Sequence, residues 1–247
     1  MSAEESLQTC PTPGRKIVVA IDGPSGAGKS TIAQRLARHF GLLNLESGAM
    51  YRAFALKALR AGISFDDCSA LESLAARTAI GLEPGEENNR VFLDGEDVTG
   101  LIRNQAVTDG ASRASVYTPI RAWMVRLQQQ LGAAGGVVME GRDIGTVVFP
   151  RAEVKIFLEA SPEVRGLRRY QQLGPNPGVQ LEEVIRDLRE RDYRDRNRAD
   201  SPLKAAEDAV LLDSTHLTLE EVVQAAVAIV AARVSGLNCH AQGLREC

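Results

Sequence analysis

The sequence of 247 residues has few cysteines, no long apolar run and almost no net charge of either sign. Its four cysteines are Cys10, Cys68, Cys239 and Cys247. Because none of them forms a C-x-x-C pair, we expect neither a disulfide framework nor a zinc site, and a cytoplasmic location fits this content. Without a run of about 18 apolar residues or a basic and apolar leader, the sequence predicts no membrane span and no signal peptide.

The charges are nearly balanced, with 29 basic and 32 acidic residues and a net charge of −3. Such a chain exerts no long-range attraction on DNA or on an anionic membrane, so affinity for phosphate must come from local arginine and lysine. We therefore expect no nucleic-acid or membrane partner, and nothing in the sequence favours more than a monomer. Apolar residues at 44% and a length that suits one α/β domain with insertions predict a globular protein.

The first part of the chain reads as the start of an α/β fold. Residues 1–14 are small, polar and proline-containing, which predicts a disordered leader. The apolar run that ends at Asp22 predicts a strand, and apolar residues spaced by four after Ser30 predict a helix that stops near Gly41. Another helix is expected after Ser47. A strand, a glycine-rich turn and a helix in this order are typical of α/β proteins.

The rest of the chain contains an insertion and further strands and helices. Residues 62–100 are acidic and include a short alternating run at 90–93, which predicts a small inserted lobe with a hairpin. Strands are expected at 137–139, 154–158 and 210–212. Helices are expected at 120–131, from Ser161, at 182–196 and at 219–234, with a Gly-Pro-Asn-Pro-Gly break at 174–178 and a loose tail from Ser235.

The run from Gly23 to Ser30, GPSGAGKS, matches the phosphate-loop pattern GxxxxGK(S/T) in full. Its glycines let successive N–H groups turn toward one centre, and the following helix presents its N-terminus to an anion. Lys29 reaches the β- and γ-phosphates, and Ser30 offers a hydroxyl to Mg²⁺. The motif predicts a bound nucleoside triphosphate with Mg²⁺, which we take to be ATP, but it does not identify an acceptor. The residues predicted to bind ATP are Gly23, Pro24, Ser25, Gly26, Ala27, Gly28, Lys29, Ser30 and Thr31.

A second acid in such sites usually ends another core strand. Glu140 follows the predicted strand at 137–139 and is a candidate to hold a magnesium-bound water, which with Ser30 completes the predicted metal site. The alternative is a strand-end carboxylate with no metal role, and the sequence leaves it open.

Six arginines lie between 186 and 198, with four acids among them. Arg191, Asp195 and Arg198 are spaced to share one face of a helix. Phosphoryl transfer gathers many negative oxygens, and arginine binds phosphate bidentately while staying charged. A solvated helix with ion pairs along its surface would give the same pattern, so periodicity alone does not decide.

Several motifs together resemble the bacterial cytidylate kinase family over roughly residues 16–232. They are IDGPSGAGKST (21–31), SGAMYR (47–52), EGRDIGTVVFP (140–150), KIFLEAS (155–161), ERDYRDRNRADSPL (190–203) and DSTHLTLEEV (213–222). The phosphate loop is shared by many proteins, but its combination with the other motifs is specific. The resemblance implies phosphorylation of CMP or dCMP by ATP.

The resemblance also implies a nucleoside monophosphate kinase fold. This fold has a parallel five-stranded sheet with flanking helices, a short lid and an acceptor lobe with a small antiparallel insert. It implies a single kinase domain at 15–234 with a core at 15–45, 106–162 and 183–234, an acceptor-binding lobe at about 46–105 and a lid at about 163–182. The leader at 1–14 and the tail at 235–247 lie outside this domain.

Site roles are carried over from the family's motifs. The acceptor phosphate is expected on Arg52, Arg142 and Arg191. The cytosine is expected on Ser112, Arg121 and Asp143, and the ribose on Asp195 and Arg198, while Ser47 belongs to the same substrate-binding set. Either Arg165 or Arg169 of the lid is expected at the transferring phosphoryl group. We take Arg169, which makes the predicted catalytic set Lys29, Arg142, Arg169 and Arg191.

The residue types suit a cytosine. Its N4 amine can donate to the Asp143 carboxylate, while Arg121 can donate to the ring's N3 and O2 acceptors. Uracil reverses the pattern at positions 3 and 4, so such a site disfavours it. Two alternatives stay open. Asp143 could pair with Arg142 alone, without reading the base, and, separately, UMP or another monophosphate could be the preferred acceptor.

Two other classes share parts of the pattern. A GTPase shares the phosphate loop, but Asp97-Val98-Thr99-Gly100 follows an acidic turn instead of a core strand, and 197–200 only loosely resembles a guanine-binding motif. A nucleic-acid-binding module could use the arginine face, but the interleaved acids and the net negative charge oppose it.

Overall fold

The computed structural model describes residues 16–85, 89–173, 178 and 180–243. Its main sheet has five parallel strands in the order β2-β6-β1-β7-β8. These strands are β1 (Val18–Asp22), β2 (Leu43–Glu46), β6 (Val137–Gly141), β7 (Val154–Glu159) and β8 (Val210–Asp213). The central strands β1, β6 and β7 are apolar and almost wholly buried, as expected of a parallel sheet covered on both faces.

The described part of the chain contains eight α-helices, which are α1 (Lys29–Phe40), α2 (Ser47–Arg60), α3 (Cys68–Ala75), α4 (Gln105–Ala114), α5 (Thr118–Gly132), α6 (Pro162–Leu173), α7 (Leu181–Asn197) and α8 (Leu219–Gly243). Of these, α1, α2 and α8 pack directly against the main sheet. Successive side chains of β1 point to opposite faces of the sheet and so belong to two core clusters. On one face, Val19 and Ile21 pack with α1 and α8. Ala20 points the other way, toward Val148 in a single π-helical turn at Ile144–Val148.

A second, smaller sheet of three antiparallel strands, in the order β3-β4-β5, lies within the predicted insertion. Its strands are β3 (Ile80–Glu83), β4 (Arg90–Leu93) and β5 (Glu96–Asp97). Val91 and Leu93 join α2, α4 and α5 in a separate core cluster around Phe54. The predicted lobe with a hairpin is therefore confirmed, although residues 86–88 of the turn lie outside the described part.

Most of the predicted elements are confirmed, and five differences stand out. The sequence reasoning missed β2, α3 and α4, and it missed the π-helical turn. The tail predicted to be loose from Ser235 is wrong for 235–243, because α8 continues through Gly236 to Gly243. A single glycine lowers helix propensity but does not end this helix. The leader at 1–14, the residues 174–177 of the predicted break and residues 244–247 lie outside the described residues. Cys68 is a free thiol.

No helix in the described part of the chain is both long enough and apolar enough to cross a membrane.

Candidate active site

A cavity of about 1210 Å³ opens at the carboxyl ends of β1 and β6, between α2, α4, α6 and α7. Parallel strands deliver the loops that follow them to this edge of the sheet, which is where α/β proteins bind ligands. All the predicted site residues line the cavity except Gly23 and Pro24. The predicted set, which comes from seven separate stretches of sequence, is thus gathered around one space.

The phosphate loop joins β1 to α1. A Cβ on Gly23 would lie 2.0 Å from the carbonyl oxygen of Leu158, so only glycine lets the loop leave the strand here. Gly28, with φ 95°, precedes the first residue of α1 and turns the free N–H groups of the helix into the cavity. Gly23 and Pro24 shape the loop from outside the cavity.

Lys29 is buried, and its Nζ donates to the carbonyl oxygen of Pro24 across the loop at 2.7 Å. Burial, followed by the nearby Arg142, lowers the pKa of Lys29 to about 7, while Glu140 opposes this shift. A bound phosphate would supply the negative charge that this ammonium group needs. The side chain is therefore placed to meet a phosphate chain.

Glu140 and Ser30 meet at one corner of the cavity. The Ser30 hydroxyl donates to Oε1 of Glu140 at 3.1 Å, and the Ser47 hydroxyl donates to the carbonyl oxygen of Glu140 at 2.7 Å. Ser47 therefore lines the cavity with its hydroxyl proton engaged by the backbone. One hydroxyl and one carboxylate fit Mg²⁺, which keeps several waters and takes its other ligands from phosphate. Within the described residues there is no cluster of three or more His, Cys, Asp or Glu side chains for a metal, so this pair is the candidate.

Arg121 of α5 and Asp143, which follows β6, form a buried ion pair at the opposite end of the cavity. A guanidinium N–H of Arg121 donates to Oδ2 of Asp143. The pairing of Asp143 with Arg142 considered above is wrong, since Arg142 turns to Asp195 instead. The Ser112 hydroxyl and the Nε of Arg121 are buried without a partner beside this pair.

The middle of the cavity is lined by guanidinium groups. Nε of Arg142 donates to Oδ2 of Asp195 at 2.9 Å, and Nη1 of Arg198 lies 3.7 Å from the other oxygen of that carboxylate. Burial alone would raise the pKa of Asp195, but Arg142, Arg191 and Arg198 together hold it below its usual value. Burial and the charge of Arg142 lower the pKa of Arg191 to about 10. Arg52 pairs with Glu46 at the edge of this group.

Eight buried side-chain atoms in the described residues have no hydrogen-bond partner, and five of them belong to residues that line the cavity. These five are Arg52 Nε, Ser112 Oγ, Arg121 Nε, Arg191 Nε and Arg198 Nη2. Buried polar atoms are rarely left unpaired, so a cluster of them indicates groups reserved for a ligand. Four are arginine N–H donors, which suit phosphate and hydroxyl oxygens.

The two arginines considered for the lid have different positions on α6. Arg165 is buried outside the cavity, where it donates to the carbonyl oxygens of Ala160 at 2.8 Å and Ser25 at 2.9 Å. Its Nη2 also lies 2.7 Å from Oδ2 of Asp192 on α7. Arg169 lines the cavity. Arg165 therefore braces the phosphate loop, and only Arg169 is free to meet a ligand.

The sequence reasoning missed one wall of the cavity, which is formed by Arg168, Ser214, Leu217, Leu219 and Val222. Arg168 donates to the Ser214 hydroxyl at 3.1 Å and to its carbonyl oxygen at 2.9 Å. Apolar residues at the start of a helix look like ordinary core positions. The signals in the sequence were their place just after the last strand, at the same edge as the phosphate loop, and the family motif DSTHLTLEEV at 213–222.

Comparisons with known proteins agree with this geometry. The sequence model of the cytidylate kinase family matches residues 19–232. A cytidylate kinase from Solibacter usitatus is 49% identical over 227 residues, which cover 91% of this chain and 96% of that protein. A cytidylate kinase from Pasteurella multocida is 45% identical over 217 residues, covering 87% and 95%.

Among solved structures, a gluconokinase from Sinorhizobium meliloti is 15% identical with a TM-score of 0.48 and covers 91% of this chain and 97% of that one. A shikimate kinase from Acinetobacter baumannii is 16% identical with a TM-score of 0.42, covering 89% and 94%. The family match spans most of the chain and both relatives are covered almost completely. The chain belongs to the cytidylate kinase family.

Proposed function

We propose that this enzyme transfers the γ-phosphoryl group of ATP to the 5′-phosphate of CMP, and also of dCMP, with Mg²⁺ at the Ser30–Glu140 corner. As a member of its family it is a kinase, and phosphorylation of CMP by ATP is its reaction. The observation that carries the proposed arrangement is the cavity itself, with a phosphate loop at one end, the Arg121–Asp143 pair at the other and unpartnered arginine donors between them.

The donor nucleotide lies on the phosphate loop in this proposal. Residues 23–31 wrap its phosphates with backbone N–H groups, and Lys29 exchanges the Pro24 carbonyl for a phosphate oxygen. Ser30 and Glu140 would hold Mg²⁺, which neutralises charge on the β- and γ-phosphates when bound. The wall of Arg168, Leu217 and Val222 offers the adenine a guanidinium group and apolar side chains.

The acceptor phosphate lies among Arg52, Arg142 and Arg191. Their guanidinium groups are held by Glu46 and Asp195 and by burial, so little ordering remains when phosphate binds. Arg169 approaches from α6 to meet the transferring group. In the transition state the negative charge spreads over the equatorial oxygens, and these fixed cations stabilise it more strongly in a water-poor cavity.

The acceptor base lies against Ser112, Arg121 and Asp143, and its ribose against Asp195 and Arg198. Both Asp143 and Arg121 are buried, so a base that presents the wrong donors leaves one of them unsatisfied. Closure of the predicted lid at 163–182 would exclude water from the γ-phosphate. The monomeric state, the cytoplasmic location and the lack of nucleic-acid binding remain predictions from the sequence.

An ADP-release assay with a panel of nucleoside monophosphates tests the acceptor. We expect CMP and dCMP to give the highest kcat/KM, with UMP well below both, and ATP to be preferred over GTP as the donor. Equal rates for UMP and CMP would contradict the proposed reading of the base. A strong preference for GTP would contradict the placement of the donor.

Asp143→Asn tests the base site directly. The variant keeps the size of the side chain but loses the charge-assisted bond from cytosine N4, so kcat/KM for CMP should fall by about 10- to 150-fold, or about 1.5–3 kcal/mol. UMP should lose much less, because the asparagine amide can donate to its O4. The ratio of the two kcat/KM values is the measurement.

Asp208→Asn is the matched control, since Asp208 pairs with Lys155 outside the cavity at 2.8 Å. Its CMP-to-UMP ratio should equal that of the unmodified enzyme. A ratio that also stays unchanged in Asp143→Asn would remove Asp143 from the base site.

Glu140→Gln tests the metal corner. The amide is a poorer partner for Mg²⁺ and its waters, so the Mg²⁺ concentration for half-maximal activity should rise roughly tenfold or more. Glu159→Gln, which changes the carboxylate at the end of β7 outside the cavity, should leave the Mg²⁺ titration unchanged. If both variants titrate alike, Glu140 is only a strand-end carboxylate.

A further inference from the structure

Asp22 is a buried carboxylate to which the proposed mechanism gives no part. It is the last residue of β1 and directly precedes the phosphate loop. Its Oδ1 accepts the backbone N–H of Ile144 at 2.8 Å, and its Oδ2 accepts that of Gly145 at 2.7 Å. Both carboxylate oxygens are thus engaged by consecutive backbone groups of another loop.

Those two N–H groups open the π-helical turn at Ile144–Val148, and a helix leaves its first N–H groups without partners of its own. The residues just before the turn are Arg142 and Asp143, which point into the cavity. Asp143 has φ −146° and ψ 24°, a conformation outside the helical range. The chain therefore changes direction at Asp143, and the bonds to Asp22 fix the residues that follow.

The loop after Asp143 lies close to the Asp22 carboxylate. A Cβ on Gly145 would lie 3.4 Å from Oδ2 of Asp22 and 3.1 Å from Cδ of Lys155, so a glycine permits the close approach. Burial raises the pKa of Asp22 to about 6, and the two N–H groups oppose that rise. The carboxylate is therefore ionised at pH 8, where it can accept from both N–H groups.

We infer that Asp22 is a positioning residue for the acceptor site, which sets the direction in which Arg142 and Asp143 enter the cavity and ties their loop to the phosphate loop. The inference rests on the proposed placement of the acceptor on these two residues. Asp22 touches neither nucleotide in this arrangement. Its effect on the acceptor is inferred to pass through the backbone of Ile144 and Gly145, which its two oxygens hold, although its charge also acts on Lys29 and Asp143.

Asp22→Asn keeps the shape of the side chain but turns an NH2 group toward one of the two N–H donors. The loop should shift, so KM for CMP should rise roughly tenfold, while KM for ATP should change by less than about twofold and kcat by less than about fivefold at pH 8. A merely structural role would lower stability without separating the two KM values.

Glu153→Gln is the matched control. Oε2 of Glu153 accepts the N–H of Val18 at 2.8 Å, at the opposite end of the same strand. This variant should leave KM for CMP unchanged even if its melting temperature falls. An unchanged KM for CMP in Asp22→Asn, or an equal rise in KM for both nucleotides, would overturn the inference.

Hydrogen exchange of the unmodified enzyme provides a measurement that does not depend on folding of the variant. The amides of Ile144 and Gly145 should exchange as slowly as those of β1, and exchange as fast as in an exposed loop would also overturn the inference. Asp143→Asn, assayed in parallel, separates two kinds of failure. If it leaves CMP kinetics unaltered, the placement of the base fails, whatever Asp22→Asn shows.

Discussion

Lys29→Ala is expected to lower kcat by about a thousandfold or more, because it removes a preplaced cation at the transferring phosphate. Lys29 is buried at the start of α1 and held by the Pro24 carbonyl, so its ammonium group lies next to the loop before any nucleotide binds. Burial and the arginines nearby disfavour its charge, which makes a phosphate the natural partner. The measurement is kcat with saturating ATP and CMP.

Lys57→Ala serves as the control. Lys57 also donates to a backbone carbonyl, that of Arg77, and pairs with Asp94 at 2.6 Å, but it lies outside the cavity. We expect its kcat to stay within about twofold of the unmodified enzyme. A folded Lys29→Ala enzyme with nearly normal kcat would show that this loop does not hold the donor.

Arg142→Ala should cost about 100- to 1000-fold in kcat/KM for CMP, the range found when one fixed donor to a developing charge is lost. Its guanidinium group donates to Asp195 through Nε at 2.9 Å and to the carbonyl oxygen of Gly141 through Nη1 at 3.2 Å, and it lines the cavity together with Arg191. Removing it also leaves Asp195 buried with fewer positive neighbours. The loss therefore combines acceptor binding with stabilisation of the transition state.

Arg142→Lys separates these contributions, since lysine keeps the charge but has no planar fork. It should recover part of the loss, mainly in KM for CMP. Arg189→Ala, which breaks an exposed pair with Glu163 on the outer face of α7, should change neither constant. An Arg142→Ala enzyme that loses affinity for ATP alone would place Arg142 at the donor and contradict the proposal.

The phosphate loop could be predicted from the sequence because its chemistry is local, with glycines, lysine and serine acting within one turn. The ion pairs of the arginines could not be predicted, because each depends on which helices and strands pack against one another in the folded protein. Arg165 and Arg169 lie one helical turn apart on α6, yet the fold buries the first against the phosphate loop and opens the second to the cavity. For Asp143, the sequence likewise offered two arginines as ion-pair partners, Arg121 and Arg142, and in the folded protein Asp143 pairs with Arg121.

The strand β2 and the helix α4 were not predicted for reasons that lie in their own residues. The strand β2 is only four residues long and half polar, so it lacked a clear apolar run. Helix α4 contains Gly110, which lowers helix propensity, but a Cβ there would lie 2.3 Å from Cζ of Phe65. The packing of an aromatic ring from a distant segment explains that glycine, and no single-sequence pattern reveals it.

The buried pair between Arg165 and Asp192 links α6 and α7 to the phosphate loop. Withdrawing one partner from such a pair costs about 3–5 kcal/mol, so the part of α7 that carries Asp192 stays attached to the phosphate loop through the Ser25 carbonyl. Arg191, the preceding residue, is therefore in place before either nucleotide arrives. If the predicted lid and acceptor lobe close over the nucleotides, we expect that motion in the lobe and in the part of the lid beyond Arg165, with Arg191 needing little reorganisation for the chemical step.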